Sequence, residues 1–335
     1  MNSIGTLFRV ALFGESHGPG IGTIVDGVPP GIPIDLGDFE ADLARRRSGA
    51  AGTTPRREAD IPEVISGLWQ GHSTGTPISI LFRNADTKSS DYDRFRKVPR
   101  PGHADFTGSV RYRGWNDPRG SGHFSGRITA GLVAAGVIAK KVLDTARFET
   151  RVLEVGGRTD IEAAIQEAAD SGDSLGGLVE IRVTGLPPGL GEPFFGSVEG
   201  LLGQALFSVP AVRGLEFGDG FAAARMRGSE HNDPFVATDG STSKNGAGGI
   251  NGGITSGNPI VLRVAVKPAS SIARPQKTLD FSTGEATILE AEGRHDACIA
   301  IRAAVVLEAA VAVVLADLSL VARSRDAVSA TRETP

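Results

Sequence analysis

Two histidines near the middle of the chain stand among cations and glycines in a way that suits phosphate chemistry. His103 lies in Arg100-Pro101-Gly102-His103-Ala104-Asp105, and His123 lies in Arg119-Gly120-Ser121-Gly122-His123-Phe124-Ser125-Gly126-Arg127. From 94 to 127 the sequence holds eight Lys or Arg residues and only Asp105 and Asp117 as acids, although the whole chain has a formal charge of -4. A Gly/Ser loop that runs into a helix N-terminus is a natural phosphate cradle, because unpaired backbone N–H groups and the helix dipole both favour an anion. A phosphorylated ligand is therefore expected here. A third histidine, His17, sits in Gly14-Glu15-Ser16-His17-Gly18, where a hydroxyl, an imidazole and glycine-exposed backbone donors could face the same kind of anion.

The C-terminal half adds further groups of this kind. Lys267-Pro268-Ala269-Ser270-Ser271 offers an ammonium and two hydroxyls, Gly252-Gly253 lies in a glycine-rich stretch, and Arg294-His295-Asp296 precedes a helical pattern. Asp296 is either that helix's N-cap or a carboxylate free for chemistry. Residues 14–18 also satisfy the G-x-S-x-G of a serine-hydrolase elbow, with Ser16 as nucleophile. An elbow needs a helix directly after the turn, and Gly18-Pro19-Gly20-Ile21-Gly22 is a poor helix start. The six histidines include no H-x-x-x-H pair and Cys298 is the only cysteine, so no protein-held metal is expected.

These residues need elements to position them. Strands are predicted at 6–13, 22–25, 77–82, 178–183 and 259–267, and helices at 35–47, 128–143 and 298–321, with a further helical pattern around Val198, Leu202 and Leu206. The helix at 35–47 ends in Arg45, Arg46 and Arg47, and three adjacent positions cannot share one helix face. The order of elements gives a mixed α/β fold with no G-x-G-x-x-G between strand and helix. Val25-Asp26-Gly27-Val28-Pro29-Pro30-Gly31 recurs as Val183-Thr184-Gly185-Leu186-Pro187-Pro188-Gly189, each copy after an apolar strand, which predicts two related halves around one core. No linker separates domains, so a single domain is expected over 1–335, its halves roughly 1–150 and 151–325.

Bulk properties narrow the class. With 335 residues, 40% of them hydrophobic, the chain can build a substantial core. An acidic balance argues against a nucleic-acid partner. The apolar run at 299–321 is interrupted by Arg302, Glu308 and Asp317, so it reads as a core helix and no membrane span is expected. A single cysteine and no apolar leader at the start suit a reducing cytoplasm.

In this order the motifs resemble the chorismate synthase family from end to end: residues 14–18, 25–33, Arg45-Arg46-Arg47, Arg56-Arg57-Glu58, 100–105, Ser125-Gly126-Arg127, 252–254, 267–272 and Arg294-His295-Asp296. The resemblance implies a β-α-α-β sandwich of α+β class with an internal pseudo-two-fold, assembled as a homotetramer. It implies a lyase that uses reduced FMN for the anti-1,4-elimination of phosphate from 5-enolpyruvylshikimate 3-phosphate. NADPH enters only if the protein reduces its own flavin, and no segment reads as a nicotinamide site. Carried over, His17 protonates the flavin, His103 donates to the departing phosphate, and Asp296 is the base acting through flavin N5. Ser16, Arg46, Arg127 and Arg294 hold substrate. Arg46, His123, Phe124, Ser125, Ala211, Gly252, Lys267, Pro268, Ala269, Ser270, Ser271 and Arg294 line the flavin site. The chain departs from the family pattern at Gly52, where an arginine is usual, at His123-Phe124, where a basic residue and a serine are usual, and at Pro210, where asparagine is usual. A flavin- and phosphate-binding relative without turnover is the alternative that these departures motivate.

Overall fold

The computed structural model describes residues 2–47, 59–85, 92–291 and 296–329. Its first half contains β1 (Ser3–Ile4), β2 (Arg9–Gly14), β3 (Gly20–Asp26), α1 (Glu40–Arg46), β4 (Glu63–Ser66), β5 (Leu68–Trp69), β6 (His72–Ser73), β7 (Ile78–Arg83), α2 (Asp105–Arg111) and α3 (Thr129–Leu143). Strands β1-β2-β3-β7-β4 form an antiparallel sheet in that order. Period-2 alternation decides which face is covered. In β7, Ile78, Ile80 and Phe82 are buried while the residues between them are more open.

The second half contains β8 (Arg147–Val155), α4 (Ile161–Asp170), β9 (Gly177–Thr184), α5 (Val198–Ser208), β10 (Val212–Phe217), α6 (Gly228–His231), β11 (Ile250–Asn251), β12 (Ile254–Thr255), β13 (Ile260–Val266), β14 (Gln276–Asp280), β15 (Glu285–Leu289) and α7 (Ala300–Ser329). Its sheet runs β10-β13-β9-β8, again antiparallel. Helix α3 packs on β3 and β7, α7 packs on β8 and β9, and the two helices pack on each other, which gives the expected β-α-α-β sandwich. Small residues set that central contact: a Cβ on Gly136 would stand 2.4 Å from Ala309 Cβ, so any larger residue would push α3 away from α7. Helix α7 is long and apolar enough to cross a membrane, but 89% of its apolar window is buried inside the protein.

The sequence echo is a repeat of hydrogen bonds as well. Gly31 N donates to Ser73 O at 2.8 Å, Ile32 N to Ser73 Oγ at 2.9 Å, and Ser73 Oγ to Pro29 O at 2.6 Å. In the second half, Gly189 N donates to Thr255 O at 2.9 Å, Leu190 N to Thr255 Oγ1 at 2.9 Å, and Thr255 Oγ1 to Pro187 O at 2.8 Å. Gly27 and Gly185 both have positive φ, +81° and +78°, and a Cβ at either would strike a backbone carbonyl, of Leu7 or Thr145.

Three predicted elements differ in outline. The strand expected at 6–13 begins only at Arg9, because the N–H groups of Leu7 and Phe8 donate to Asp317 Oδ1 at 2.7 and 2.8 Å and Thr6 N to its Oδ2 at 2.9 Å, in place of a sheet partner. The helix expected at 35–47 opens as a 3-10 turn, Leu36–Phe39, where Asp35 and Asp38 form a reciprocal capping box. The last helix starts two residues later than expected and runs on to Ser329.

Candidate active site

Residues 15–19 join β2 to β3 as the loop of an antiparallel hairpin, with no helix after it. Ser16 is fully buried and its N–H donates to Gly122 O at 3.0 Å. A serine nucleophile must stand clear of the turn on a strand-to-helix elbow, so the hydrolase alternative is overturned. His17, also buried, meets Tyr92 edge-on with ring centroids 5.2 Å apart. Its other side lies against Gly120, where a Cβ would sit 2.3 Å from Cδ2. Glycine at 120 is what lets the loop at 119–124 close over the imidazole.

The same loop reaches His103. His103 Nδ1 lies 2.7 Å from Asp105 Oδ1, and Nε2 lies 3.3 Å from Ser121 Oγ. Arg100 fixes the arrangement by donating to both Asp105 oxygens at 2.7 and 2.8 Å, to Ser121 Oγ at 3.0 Å and to Ser271 Oγ at 2.9 Å. Its guanidinium also stacks 4.3 Å over the Phe95 ring. Burial pushes the Asp105 carboxyl up, but hydrogen bonds from Arg100 and His103 hold it far below the usual carboxylate range. An ionised Asp105 therefore accepts from Nδ1–H and aims Nε2 into a cleft that Ser121, Asp117 and Phe124 also line.

A buried chain of charges links the remaining catalytic candidates. Arg46 Nη2 donates to Asp60 Oδ2 at 2.7 Å, and Arg127 Nη1 pairs with Asp60 Oδ1. Arg127 Nε donates to Asn84 Oδ1 at 3.1 Å, and Asn84 Nδ2 in turn donates to Glu15 O at 2.9 Å and Gly18 O at 2.8 Å, which secures the His17 loop. On the other side, Arg302 Nε donates to Arg46 O at 2.8 Å and its Nη1 pairs with Asp296 at 3.1 Å. Asp296 is thus held by the first turn of α7, four residues ahead of Ala300, and is not the N-cap of that helix. Two buried arginines share one carboxylate, and burial together with the neighbouring Arg302 and Arg127 draws Arg46 down to about 10 against the pull of Asp60. Arg46 Nε has no partner among the described residues. The excess positive charge favours an anion.

The flavin-site candidates fall into three places. Lys267 Nζ donates to Gly102 O at 2.6 Å and to Ser270 Oγ at 2.7 Å, and Ser271 binds Arg100, so residues 267–271, including Pro268 and Ala269, lie against the His103 segment. Ala211, at a φ of +74°, accepts from Lys267 N at 2.9 Å. Burial and the nearby Arg213 push the Lys267 ammonium below its ordinary range, another local surplus of cation. His123 Nδ1 meets Gly14 O at 2.8 Å, Ser125 Oγ accepts from Arg127 N at 3.3 Å, and the Phe124 ring packs on Gly108, where a Cβ would stand 2.7 Å from it. Gly252 occupies the exposed β11–β12 turn, where an added Cβ would meet nothing within 4 Å. Arg294 and Gly52 lie outside the described residues.

Sequence reasoning missed Asp60, Asn84, Tyr92 and Arg302 as parts of the site. Arg302 left a trace as a charge inside an apolar helix. The other three left none, since only the fold brings them to Arg127 and His17.

An α+β sandwich that carries both a carboxylate-backed histidine and a pair of buried, anion-seeking arginines is the frame of an enzyme acting on a phosphorylated small molecule. Residues 8–320 match the family model for chorismate synthase. A chorismate synthase from Chitinophaga pinensis is 55% identical over 321 residues, 96% of this chain and 97% of that protein. Another from Dehalococcoides mccartyi is 48% identical, across 95% of this chain and 96% of its own length. A solved structure titled "Crystal Structure of Chorismate Synthase" superimposes with a TM-score of 0.72 at 27% identity, covering 95% of this chain and 93% of that one. This chain belongs to the chorismate synthase family, lyases of the shikimate pathway.

Proposed function

We propose that the protein uses reduced FMN to eliminate the 3-phosphate and a C6 hydrogen from 5-enolpyruvylshikimate 3-phosphate, giving chorismate. The observation that carries this reading is the Asp105–His103 pair facing a cleft, together with the buried Arg46–Asp60–Arg127 cluster that Asn84 ties to the His17 loop. The donor set fits the flavin: Lys267 beside Arg213, with the hydroxyls of Ser270 and Ser271, forms a cationic, hydroxyl-rich place for its phosphate. Reduced FMN supplies electron density that eases the loss of phosphate.

The protein's own residues supply the rest. Asp105 keeps His103 in the tautomer whose Nε2 exchanges protons with the leaving phosphate. Arg46, Arg127 and Arg294 neutralise the substrate's anionic groups, with Ser16 in support. His17, enclosed by Tyr92 and Gly120, would supply a proton to the flavin when it is bound, and Asp296, fixed by Arg302, would take up the proton lost from carbon. His123, Phe124, Ser125, Ala211 and Gly252 would complete the residues that hold the flavin. The reading extends to a single domain of two pseudo-repeated halves, a homotetramer, a cytoplasmic location, and NADPH solely as a reductant for the flavin.

Anaerobic release of phosphate and chorismate with chemically reduced FMN tests it, comparing the parent with His103→Ala and Asp296→Asn. Release by the parent with losses of at least about 100-fold in both variants is expected for general acid and base groups. Parental rates in both variants would remove these roles. Bound FMN without any release by the parent would favour the non-catalytic alternative.

A further inference from the structure

Ser121 has no role in the reaction as described above, yet the loop holds it in a costly conformation. Its φ is +68°, between Gly120 at +57° and Gly122 at +53°. Glycine adopts such angles freely, whereas a residue with a Cβ is strained there, and strain of this kind collects at functional sites. The hydroxyl meets two groups: Arg100 Nη2 at 3.0 Å and His103 Nε2 at 3.3 Å. Because Asp105 takes the Nδ1 side of His103 at 2.7 Å, Nε2 is the nitrogen left to exchange protons, and Ser121 Oγ covers it.

A serine hydroxyl has one hydrogen to give and two lone pairs to receive. With His103 protonated, Arg100 and Nε2–H occupy both lone pairs, and the serine's own hydrogen is left to point into the cleft. We propose that Ser121 relays the proton from His103 to the departing phosphate. The Nε2–H bond breaks as a new Oγ–H bond forms, and the original Oγ–H proton passes to a phosphate oxygen. His103 ends neutral with Nδ1–H still held by Asp105, Ser121 is unchanged, and phosphate leaves with one more proton. Among the described residues, Asp105, Arg96 and Asp117 are the other charged residues that line the cleft with His103, and Arg100 approaches the ring from its own segment. Arg100 offsets negative charge on Oγ during the transfer.

The relay rests on His103 being the proton donor, so the test separates the two. Single-turnover phosphate release with chemically reduced FMN is measured for the parent, Ser121→Ala and His103→Ala in mixtures of H2O and D2O. Ser121→Ala keeps the same Cβ at the same φ and removes only Oγ with the bond it accepts from Arg100, so its thermal midpoint should fall by no more than a few degrees. Its rate should fall roughly 10- to 100-fold, and the curved deuterium dependence of a two-proton transfer should become linear. In the flavin-free protein, the 15N resonance of His103 Nε2 should move once its hydroxyl partner is gone. A parental rate and curvature in Ser121→Ala, with His103→Ala inactive, would overturn the relay and leave His103 as a direct donor. A parental rate in His103→Ala would remove both.

Discussion

Arg45, Arg46 and Arg47 show how much a single position decides. Arg45 reaches Glu308 and Asp42, Arg47 reaches the exposed Glu40, and only Arg46 turns inward to Asp60. Spacing shows only that three neighbours must diverge, and it was the family resemblance that singled out Arg46, because the carboxylate it meets lies on a separate stretch of chain. Asp60 stays ionised although burial pushes it upward, since Arg46 and Arg127 hold it down. Asp60→Asn leaves two buried guanidiniums without their counter-charge, and a stability loss of about 3 kcal/mol is expected by urea denaturation. Arg47→Ala, which opens a largely solvated pair, should cost under about 1 kcal/mol. Equal losses would mean that the Asp60 cluster is no more than a surface ion pair.

Elements were legible where their pattern was apolar and local. Helix α3 and strands β7, β9 and β13 fall within two residues of their predicted bounds, because buried alternation and long alanine- and valine-rich runs have few alternatives. Strand β8 escaped notice: its outward residues Arg147, Glu149 and Arg151 give it the look of a loop, and its pairing with β9 is what makes it a strand. The three central helices are also tied by charge. Glu308 of α7 meets Lys140 of α3 and Arg45 of α1. Burial raises its carboxyl, but these cations draw it down to about 2 from an ordinary 4.5. A carboxyl held lower in the folded state than in the unfolded one contributes stability above its unfolded value, and that contribution fades as pH falls through the folded value. Here it amounts to about 3 kcal/mol, present above pH ~5 and lost between there and pH ~2. Glu308→Gln should be less stable by about that much at pH 7 and should lose less stability on acidification, although Asp60 and Asp105 keep some slope. Chemical denaturation of both proteins from pH 3 to 7 checks this, and parallel curves would contradict it.

At the scale of the molecule, the repeated Val-x-Gly-x-Pro-Pro-Gly segment foretold the architecture better than any single element. It marks the same corner in each half, where a strand ends, the chain turns through Pro-Pro-Gly, and a hydroxyl from a distant hairpin accepts one backbone N–H and donates to one carbonyl. That the hydroxyl is Ser73 in one half and Thr255 in the other was not readable, because 41 and 65 residues separate each from the backbone N–H it binds. Both side chains are buried, so each hydroxyl removed strands a carbonyl and an N–H away from water. Ser73→Ala and Thr255→Val should therefore each cost about 1–2 kcal/mol by equilibrium denaturation. Since the two corners belong to different sheets on opposite sides of the α3–α7 layer, the double variant should lose the sum within ~0.5 kcal/mol. A coupling energy well above that would mean the two halves act as one cooperative strap through the helices, and a loss at only one corner would mean that the shared hydrogen-bond pattern is not matched by shared energetics.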